Sequence, residues 1–419
     1  MEKLAIQGGK KAVQSSINIF DEQTRWPQIG KNELNAINSL FEDANISTHP
    51  VIRDLENAYC ERIGSKYALA HNNGTSALLA AFWALDLKPG DEILVPTATF
   101  WASALPMMWL GLVPIFCESE ETELGLDLED VQNKWNPNVK AIVIVPLWGI
   151  PGNYGSILKF ANEKELLVIE DASHAHGAIY KNKAVGSFGD ISVFSLQGDK
   201  LAPAGEGGIL LTDNIEYYHK AMLLGDITRI LDLDTPDRRF AATSFGIKTR
   251  IASVSAAIAL GSLKKLDERN AVRKANMKRL SEALSTYGFD CYSDTPNWSR
   301  TYFEFVARPR LNSENILAPD EWITSLISEG CKVIKPRYPL LHEQPFFTEG
   351  VFKKVLRIDE SKCPEYFPGG FEKTRLVNNE LIKFPCFTTS EQNVLDEYIS
   401  AIHKIGTSQK EIKVILAKN

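Results

Sequence analysis

The sequence predicts an α/β fold in which a large domain with a mostly parallel sheet is followed by a smaller C-terminal α+β domain. Short apolar runs alternate with segments of helical periodicity as far as residue 215, and this alternation is typical of βαβ units. A chain of 419 residues is also too long for a single compact core. We therefore expect an N-terminal arm at residues 1–25, a large domain at 26–265 and a small domain at 266–419.

The composition is that of a soluble globular protein, with 44% hydrophobic and 24% charged residues. A formal net charge of −7 provides no basic field for nucleic acid or an anionic membrane. The six cysteines are scattered and never in CxxC spacing, which argues against a zinc site and against a disulfide framework. The N-terminus, MEKLAIQGGKK, lacks the apolar core of a signal peptide, so we expect a cytoplasmic protein.

One long apolar stretch, residues 93–116, must be weighed as a membrane span. Prolines and hydroxyl side chains interrupt it, namely Pro96, Thr97, Thr99, Ser103, Pro106 and Pro114. A strand, a turn and a short helix explain this composition better than a membrane helix does.

The elements of the first half follow from periodicity and turn residues. The arm is expected to be irregular, with Trp26 and Pro27 as its anchor. Helical spacing predicts helices at residues 32–42 and 51–63, separated by a polar loop. The next predicted elements are a strand at 67–70, a helix at 77–85 and strands at 92–96 and 141–145.

The second half begins with a long charged amphipathic helix, predicted at residues 260–284, that bridges the two domains. A Pro-rich segment at 336–345 is expected to form a loop near the cleft. The small domain is predicted to contain strands at 302–307 and 332–334 and helices at 319–329 and 390–405.

Residues 168–208 carry the polar groups most typical of a site. Two apolar runs that read as buried strands end in polar residues: the first leads to Asp171, and the second ends in Ser195 with Lys200 shortly after it. A glycine-rich turn at 205–208 closes the segment. Open α/β sheets build their ligand sites at strand ends. A carboxylate, a hydroxyl and an amine at one sheet edge suggest a pyridoxal-phosphate site, with the lysine as the Schiff-base residue and the aspartate on the pyridine nitrogen.

A second candidate element is the turn at residues 72–76, which leads from a predicted strand into a helix. Gly74 allows a tight backbone, and Thr75 and Ser76 present hydroxyl and amide groups at the helix N-terminus. Unpaired N–H groups and the helix dipole make such a turn an anion site, which here would bind the cofactor phosphate. The alternative is an ordinary N-cap, where Ser and Thr are favoured in any case.

Two long motifs resemble a known family. EDASHAHG at residues 170–177 resembles the signature EDAxxxHG, and FSLQGDKLAPAGEGG at 194–208 resembles FSxxxxKxxxxGEGG, both of the DegT/DnrJ/EryC1/StrS aminotransferases. The resemblance extends over roughly residues 20–400. It implies the fold type I of pyridoxal-phosphate enzymes, with a seven-stranded type of sheet, and an aminotransferase that acts on keto-sugars or keto-cyclitols.

The resemblance assigns roles to the central motif. Lys200 would hold pyridoxal 5′-phosphate and move a proton, and Asp171 would pair with the pyridine nitrogen. His174 would lie beside the phenolic oxygen of the cofactor, and Ser195 would donate to its phosphate. Some relatives have histidine in place of this lysine and perform dehydration, so Lys200 argues for transamination. His176 is expected to be structural.

Aromatic and polar residues outside the central motif complete the predicted site. Strand side chains alternate, so only one of Phe100 and Trp101 is expected to face the site. The resemblance selects Phe100 as the ring that stacks on the pyridine, with Trp101 as the alternative. The candidates for the substrate side are Gln197, Trp148, His49 and His342.

Three positions differ from the pattern of the family. Residues 48–50 replace a segment that usually contains glycine, and Pro146 stands where relatives often have histidine. In Gly246–Arg250 the family usually has GxNxR, with an asparagine that reaches the phosphate in the neighbouring subunit; this chain has Lys248. A lysine can bind phosphate as a point charge, which would make the active unit a homodimer with shared sites. The alternative is a solvated lysine.

The predicted function is amino transfer from glutamate or glutamine to a cyclic ketone, with pyridoxamine 5′-phosphate as the amino form of the cofactor. The ketone would be a keto-sugar, a nucleotide-linked keto-sugar or a keto-cyclitol, used in secondary-metabolite or glycan biosynthesis. The alternative is a different reaction on the same fold, namely elimination, dehydration or cyclisation. A nicotinamide dehydrogenase is disfavoured because no GxGxxG follows an early strand.

Overall fold

A seven-stranded sheet forms the centre of the computed structural model, which describes residues 3–43, 45–312, 315–336 and 338–417. Its strand order is β1-β9-β8-β5-β4-β2-β3. The strands within the described ranges are β1 (Tyr67–His71), β2 (Glu92–Pro96), β3 (Val113–Cys117), β4 (Val139–Ile144), β5 (Leu167–Asp171), β6 (Ile179–Tyr180), β7 (Lys183–Ala184), β8 (Ile191–Ser195), β9 (Gly208–Thr212), β10 (Phe289–Asp290), β11 (Trp298–Ser299), β12 (Phe305–Pro309) and β13 (Ile382–Phe384).

The helices lie on both faces of this sheet and in the C-terminal part of the chain. In the same described ranges they are α1 (Ile17–Gln23), α2 (Lys31–Glu42), α3 (Val51–Ile63), α4 (Gly74–Ala84), α5 (Leu105–Met108), α6 (Leu128–Lys134), α7 (Tyr154–Glu163), α8 (Ile215–Gly225), α9 (Ile227–Ile230), α10 (Ser253–Lys264), α11 (Leu266–Ser285), α12 (Pro319–Ser328), α13 (Pro345–Thr348), α14 (Lys353–Leu356), α15 (Glu372–Glu380), α16 (Asn393–Thr407) and α17 (Gln409–Leu416).

The central sheet is mostly parallel. Strand β9 is antiparallel to both of its neighbours, and the other six strands run in one direction. Successive side chains of a strand point to opposite faces, so Ile142 packs in the core on one face while Ala141 and Val143 pack in the core on the other. Covering both faces buries most residues of the parallel strands, although Lys140 in β4 is exposed. The predicted α/β fold class with its large, mostly parallel sheet is thus confirmed.

The C-terminal part has its own core beside a second sheet, with strand order β10-β12-β13. Helices α11, α12 and α16 contribute to this core, in which Trp322 and Tyr398 are fully buried. The N-terminal arm packs here too: Leu4 is buried in the core, and the Glu329 carboxylate accepts the backbone N–H groups of Ala5 and Ala12 at 2.9 and 3.0 Å. The arm is not irregular as predicted, because it contains α1, whose first turn is capped by a serine hydroxyl.

Some predicted elements differ from the structure. The helix predicted at 260–284 is two helices, α10 and α11, because the backbone leaves the helical conformation at Lys265. Small buried residues give α10 no amphipathic pattern that could mark its start at Ser253. The strand predicted at 332–334 is only an isolated bridge from Ile334 to Lys383. Residues 93–116 form strand, turn, short helix and strand as expected, and no helix among the described residues is long and apolar enough to cross a membrane.

Candidate active site

A cavity of about 790 Å³ opens at the carboxyl ends of β2, β5 and β8. Parallel strands bring their carboxyl ends to one sheet edge, and the polar residues that follow them converge there. The residues that line the cavity are Asn73, Gly74, Thr75, Leu78, Thr99, Phe100, Trp101, Ala102, Val145, Asp171, Ser173, His174, Ser195, Gln197, Asp199, Lys200, Glu206, Tyr338, Pro339, Leu341 and Gln344.

Asp171 is the last residue of β5 and is only 5% exposed. Its Oδ2 accepts the Ser103 hydroxyl at 2.6 Å, and its Oδ1 accepts the Ser173 hydroxyl at 2.6 Å. These two hydroxyl contacts fix the orientation of the carboxylate. The neighbouring Glu170 points to the other face, where its carboxylate accepts three backbone N–H groups, from Gly186, Phe188 and Gly189. Of the two adjacent carboxylates, Asp171 is therefore the one that lines the cavity.

Lys200 lies in the turn that follows β8 and contacts groups from distant parts of the chain. Its carbonyl oxygen accepts the indole N–H of Trp26 at 3.0 Å. Its Nζ lies 4.2 Å from the centroid of the Phe303 ring. The structure thus places the predicted amine and the predicted carboxylate, Lys200 and Asp171, on one cavity.

The N-terminus of α4 forms one end of the cavity. The side chain of Asn73 caps the helix by accepting the backbone N–H of Ser76 at 2.7 Å. Gly74 packs so closely on Ser195 that a Cβ at position 74 would lie 2.9 Å from the Ser195 Cβ. Gly74, Thr75 and Ser195 line the cavity, whereas the predicted Ser76 does not. The Ser76 N–H is already bonded to Asn73 and so is not available for an anion.

Aromatic rings form another wall. Phe100 and Trp101 both line the cavity, with centroids 4.8 Å apart, and each is about two-fifths exposed. The expectation that only one of them faces the site was wrong. Strand alternation does not apply to them because β2 ends at Pro96 and both rings belong to the turn beyond it. Tyr338, from the predicted Pro-rich loop, adds a third ring, 6.2 Å from Phe100.

His174 is held in one orientation from several sides. Its Nδ1 accepts the backbone N–H of Trp148 at 3.2 Å, so the neutral ring carries its proton on Nε2, which lies 3.3 Å from the Tyr338 hydroxyl. The Phe303 ring stacks on the imidazole at 4.1 Å. Trp148 is 2% exposed and does not line the cavity; it contributes through this backbone contact instead.

The other predicted substrate residues lie apart from the cavity, with one exception. Gln197 lines it, and its Oε1 accepts the Asp199 N–H. His49 lies before α3 and pairs with Asp43 at 3.0 Å. His342 is 1% exposed, and its Nδ1 lies 2.6 Å from the hydroxyl of Thr97, the residue that follows β2.

His176 differs from His174 although both belong to the same motif. It is 2% exposed and packs against the rings of Tyr59 and Phe194, at centroid distances of 6.2 and 5.0 Å. Burial lowers the pKa of His176 to about 3, and the positive charge of Lys200 acts in the same direction. The ring is therefore neutral at ordinary pH.

Comparison with known proteins decides the family. The family model described as the DegT/DnrJ/EryC1/StrS aminotransferase family matches residues 27–364. The chain belongs to this family. The prediction made from the two motifs at residues 170–177 and 194–208 is confirmed.

Individual relatives agree with this assignment. The chain is 34% identical over 263 residues to a "GDP-perosamine synthase" of Caulobacter vibrioides, a match that covers 62% of this chain and 70% of the relative. It is 27% identical over 357 residues to a "Putative L-glutamine:3-amino-2,3-dideoxy-scyllo-inosose aminotransferase" of Micromonospora echinospora, with 83% and 82% covered. The crystal structure of an aminotransferase from Psychrobacter cryohalolentis has the same fold, with a TM-score of 0.79, 23% identity, and 91% of this chain and 98% of that chain covered.

The DegT/DnrJ/EryC1/StrS family is pyridoxal-phosphate dependent, and the donor set of this cavity fits that cofactor. The cavity volume is in the range of small-molecule sites. An amine, a buried carboxylate and a hydroxyl beside a helix N-terminus are the groups that an aldehyde, a pyridine nitrogen and a phosphate require. The missing Cβ of Gly74 leaves the first turn of α4 close to Ser195, so both can reach one phosphate.

Sequence reasoning missed several residues of this aminotransferase's site. Ser103 is the donor to Asp171, and its signal was a hydroxyl residue inside an apolar stretch. Tyr338 lies in a loop whose position near the cleft was predicted without naming the residue. Phe303 gave no signal, because an aromatic residue inside a strand predicted at 302–307 reads as core.

Proposed function

We propose that this aminotransferase moves the amino group of glutamate or glutamine to a cyclic ketone by means of pyridoxal 5′-phosphate. The observation that carries the proposal is that the amine of Lys200 and the buried carboxylate of Asp171 line one cavity at the strand ends of the sheet. A lysine in this position favours transamination over dehydration.

The cofactor would be held by residues of four segments. Lys200 would bond its aldehyde carbon, and Asp171 would pair with its pyridine nitrogen. The Ser195 hydroxyl, with Gly74 and Thr75 at the helix N-terminus, would bind its phosphate. When bound, the cofactor supplies a carbon that carries the amino group and a ring that withdraws electrons.

The residues of the chain would then orient the reaction and move its proton. Lys200, once its amine is free, can take a proton from one carbon atom and return it to another. Asp171, fixed by Ser103 and Ser173, keeps the negative charge directed at the ring nitrogen throughout. The Phe100 and Trp101 rings line the same cavity and would provide an apolar wall beside the cofactor ring.

The acceptor that we propose is a keto-sugar, a nucleotide-linked keto-sugar or a keto-cyclitol. One relative is named for a GDP-linked sugar and another for an amino-inosose with glutamine as the donor. The second name describes a ring ketone that gains an amino group, and the first describes an amino sugar as the product. The donor and acceptor of this chain are to be established by direct assay.

We further propose that the active unit is a homodimer in which Lys248 reaches the phosphate in the partner subunit's site. Lys248 is exposed and does not line the cavity of its own chain, and its neighbours Phe245 and Ile247 expose 42% and 41% of their surfaces. Exposed apolar residues beside a cation are typical of a surface that another chain covers. Mixing Lys200→Ala with Lys248→Ala subunits would then restore part of the activity that neither variant has alone. Lys159→Ala, on an exposed face of α7, is the matched control for loss of a surface charge.

The decisive experiment for the main proposal is the absorption spectrum of the purified protein before and after addition of glutamate or glutamine. We expect a cofactor band that shifts to that of pyridoxamine 5′-phosphate with one of the two donors. Lys200→Ala should bind the cofactor only non-covalently and show no turnover, with unchanged thermal unfolding. Asp171→Asn should bind it covalently but turn over far more slowly.

Two outcomes would contradict the proposal. A coloured protein that no amino donor changes would favour an elimination or cyclisation reaction on the same fold. A protein that cannot be loaded with pyridoxal 5′-phosphate would contradict the cofactor assignment itself.

A further inference from the structure

Lys200 is held at two points by residues that lie far from it in sequence. The indole N–H of Trp26 donates to the Lys200 carbonyl at 3.0 Å, and the Phe303 ring lies 4.2 Å from the Lys200 Nζ. The bond from Trp26 fixes the main chain of the lysine, and the Phe303 ring lies against its amine. Neither partner belongs to the motif that contains the lysine.

The Phe303 ring is itself fixed in place. It is 7% exposed and stacks on the imidazole of His174, with centroids 4.1 Å apart and an angle of 24°. The preceding Thr301 donates its hydroxyl to the His174 carbonyl at 3.0 Å and its N–H to the Gly149 carbonyl at 3.1 Å. The segment before Phe303 is thus bonded to the loops that follow the central sheet, and the stacking on His174 holds the ring itself.

Trp26 is fixed as well. The guanidinium of Arg273 lies 4.2 Å from the centroid of the indole, and that of Arg269 lies 5.8 Å away. Arg273 is buried, and its Nη1 donates to the Tyr302 carbonyl at 3.1 Å. The indole that positions the lysine backbone is therefore tied, through one arginine, to the segment that contains Phe303.

An aromatic face attracts an ammonium group but not a neutral amine, because the attraction is between a full positive charge and the ring quadrupole. We propose that Phe303 is a positioning residue that stabilises the protonated amine of Lys200 at a defined place beside the cavity, while Trp26 fixes the main chain of the lysine. The protonated lysine is the form that returns a proton to carbon, so this inference rests on the proposed function for its role in turnover.

Other titratable groups also face Lys200. The cavity is lined by the titratable residues Asp171, Asp199, Glu206, His174 and Tyr338. The charge of Lys200 also acts on the buried His176. Of these groups, His174 also contacts the Phe303 ring, since the two rings stack with centroids 4.1 Å apart. Variants at position 303 that keep the size of the ring keep this contact, so a difference among them reports the ring quadrupole and not a change in the other groups.

The test measures how readily the amine of Lys200 is acetylated in the full-length chain freed of cofactor. Competitive acetylation with acetic anhydride, read by mass spectrometry over a pH series, labels only the neutral amine: its nitrogen bonds the acetyl carbon, and acetate and a proton leave. The other lysines of the chain serve as internal standards. The variants are Phe303→Leu, which removes the aromatic face, and Phe303→Tyr, which keeps it.

We expect Phe303→Leu to increase labelling of Lys200 at neutral pH by roughly twofold to thirtyfold, since a cation–π contact has that effect on the balance between the two protonation states. Phe303→Tyr should stay close to the unmodified chain. Phenylalanine with one, two or three ring fluorines at position 303 keeps the shape and weakens the quadrupole, so labelling should rise step by step. This series applies even if the leucine variant folds poorly.

Equal labelling of Lys200 in all these variants would overturn the proposal. An increase at many lysines together would indicate loss of structure and would count against a specific contact. Because the assay needs neither cofactor nor turnover, its result is independent of whether the proposed transamination is correct.

Discussion

Gly74→Ala tests the architecture of the proposed phosphate end of the site. Gly74 is the first residue of α4, where alanine would ordinarily improve the helix. A Cβ at this position would lie 2.9 Å from the Cβ, 3.1 Å from the Oγ and 3.3 Å from the Cα of Ser195. The last of these atoms is backbone at the end of β8, so the contact cannot be relieved by a change of side-chain rotamer.

Two opposing effects decide the outcome. Replacing glycine by alanine at a compatible position stabilises a protein by about 0.4–1 kcal/mol. Overpacking a rigid contact costs about 1–3 kcal/mol. Because the crowded atoms belong to Ser195 in the strand, we expect the second effect to exceed the first. The displacement would move Ser195 relative to the N-terminus of α4, and pyridoxal 5′-phosphate affinity should fall by roughly fivefold to a hundredfold, as about 1–3 kcal/mol implies.

The assay is a titration of cofactor-free protein with pyridoxal 5′-phosphate, followed by absorbance, together with thermal unfolding of the same samples. Gly198→Ala is the matched control, since its new Cβ would meet only the Gly205 carbonyl, at 3.9 Å. It should bind the cofactor like the unmodified chain. If Gly74→Ala bound the cofactor with undiminished affinity and unfolded at the same or a higher temperature, the close packing of α4 on Ser195 would not govern the site, and the argument would be refuted.

Three further predictions concern the surroundings of the site. Ser103→Ala removes one of the two short hydroxyl bonds to Asp171, each worth about 1.5–3 kcal/mol because the acceptor is charged. Turnover should therefore fall roughly tenfold to a hundredfold. The control Ser325→Ala removes a buried hydroxyl elsewhere and should leave steady-state rates unchanged. The pKa of His176 in the folded chain, about 3, lies below its ordinary value of 6.5. The stability that His176 contributes is therefore complete above pH 6.5, and the free energy of unfolding decreases by about 1.4 kcal/mol for each pH unit below that value. In denaturant unfolding between pH 6.5 and 4.5, His176→Phe should lose less stability than the unmodified chain. Trp26→Phe keeps an aromatic ring but leaves the Lys200 carbonyl without its donor, which should lower the free energy of unfolding by about 1 kcal/mol and lower kcat more than it raises KM for the amino donor. An unchanged kcat would show that this bond does not position the lysine.

The sequence could predict the residues that stand at strand ends, because their place follows from the fold class alone. Asp171 ends β5 and Ser195 ends β8, and any parallel sheet brings such residues to one edge. Their partners could not be predicted in this way. Phe303 reaches Lys200 from a part of the chain about a hundred residues away, and only the packing of the two regions brings them together.

The wrong expectation about Phe100 and Trp101 has a physical cause: a residue beyond a strand end does not keep the alternation of the strand. Phe100 and Trp101 both line the cavity because the chain has already turned. His342 and Trp148 follow proline-containing segments that turn their side chains into buried positions, so their residue types suggested substrate contact that the geometry does not provide. Chemical type identifies a candidate, and the local backbone decides whether it faces the site.

The site depends on both regions of the chain in a way that one motif cannot show. The guanidinium of the buried Arg300 donates to the Trp148 carbonyl at 3.3 Å, and the Trp148 N–H donates to His174. Arg300 also donates to carbonyls of its own segment, such as that of Glu304 at 3.1 Å, so one buried cation joins the segment before Phe303 to the loop that orients the histidine. A displacement of the C-terminal region would therefore act on the Phe303 ring and on the His174 imidazole together.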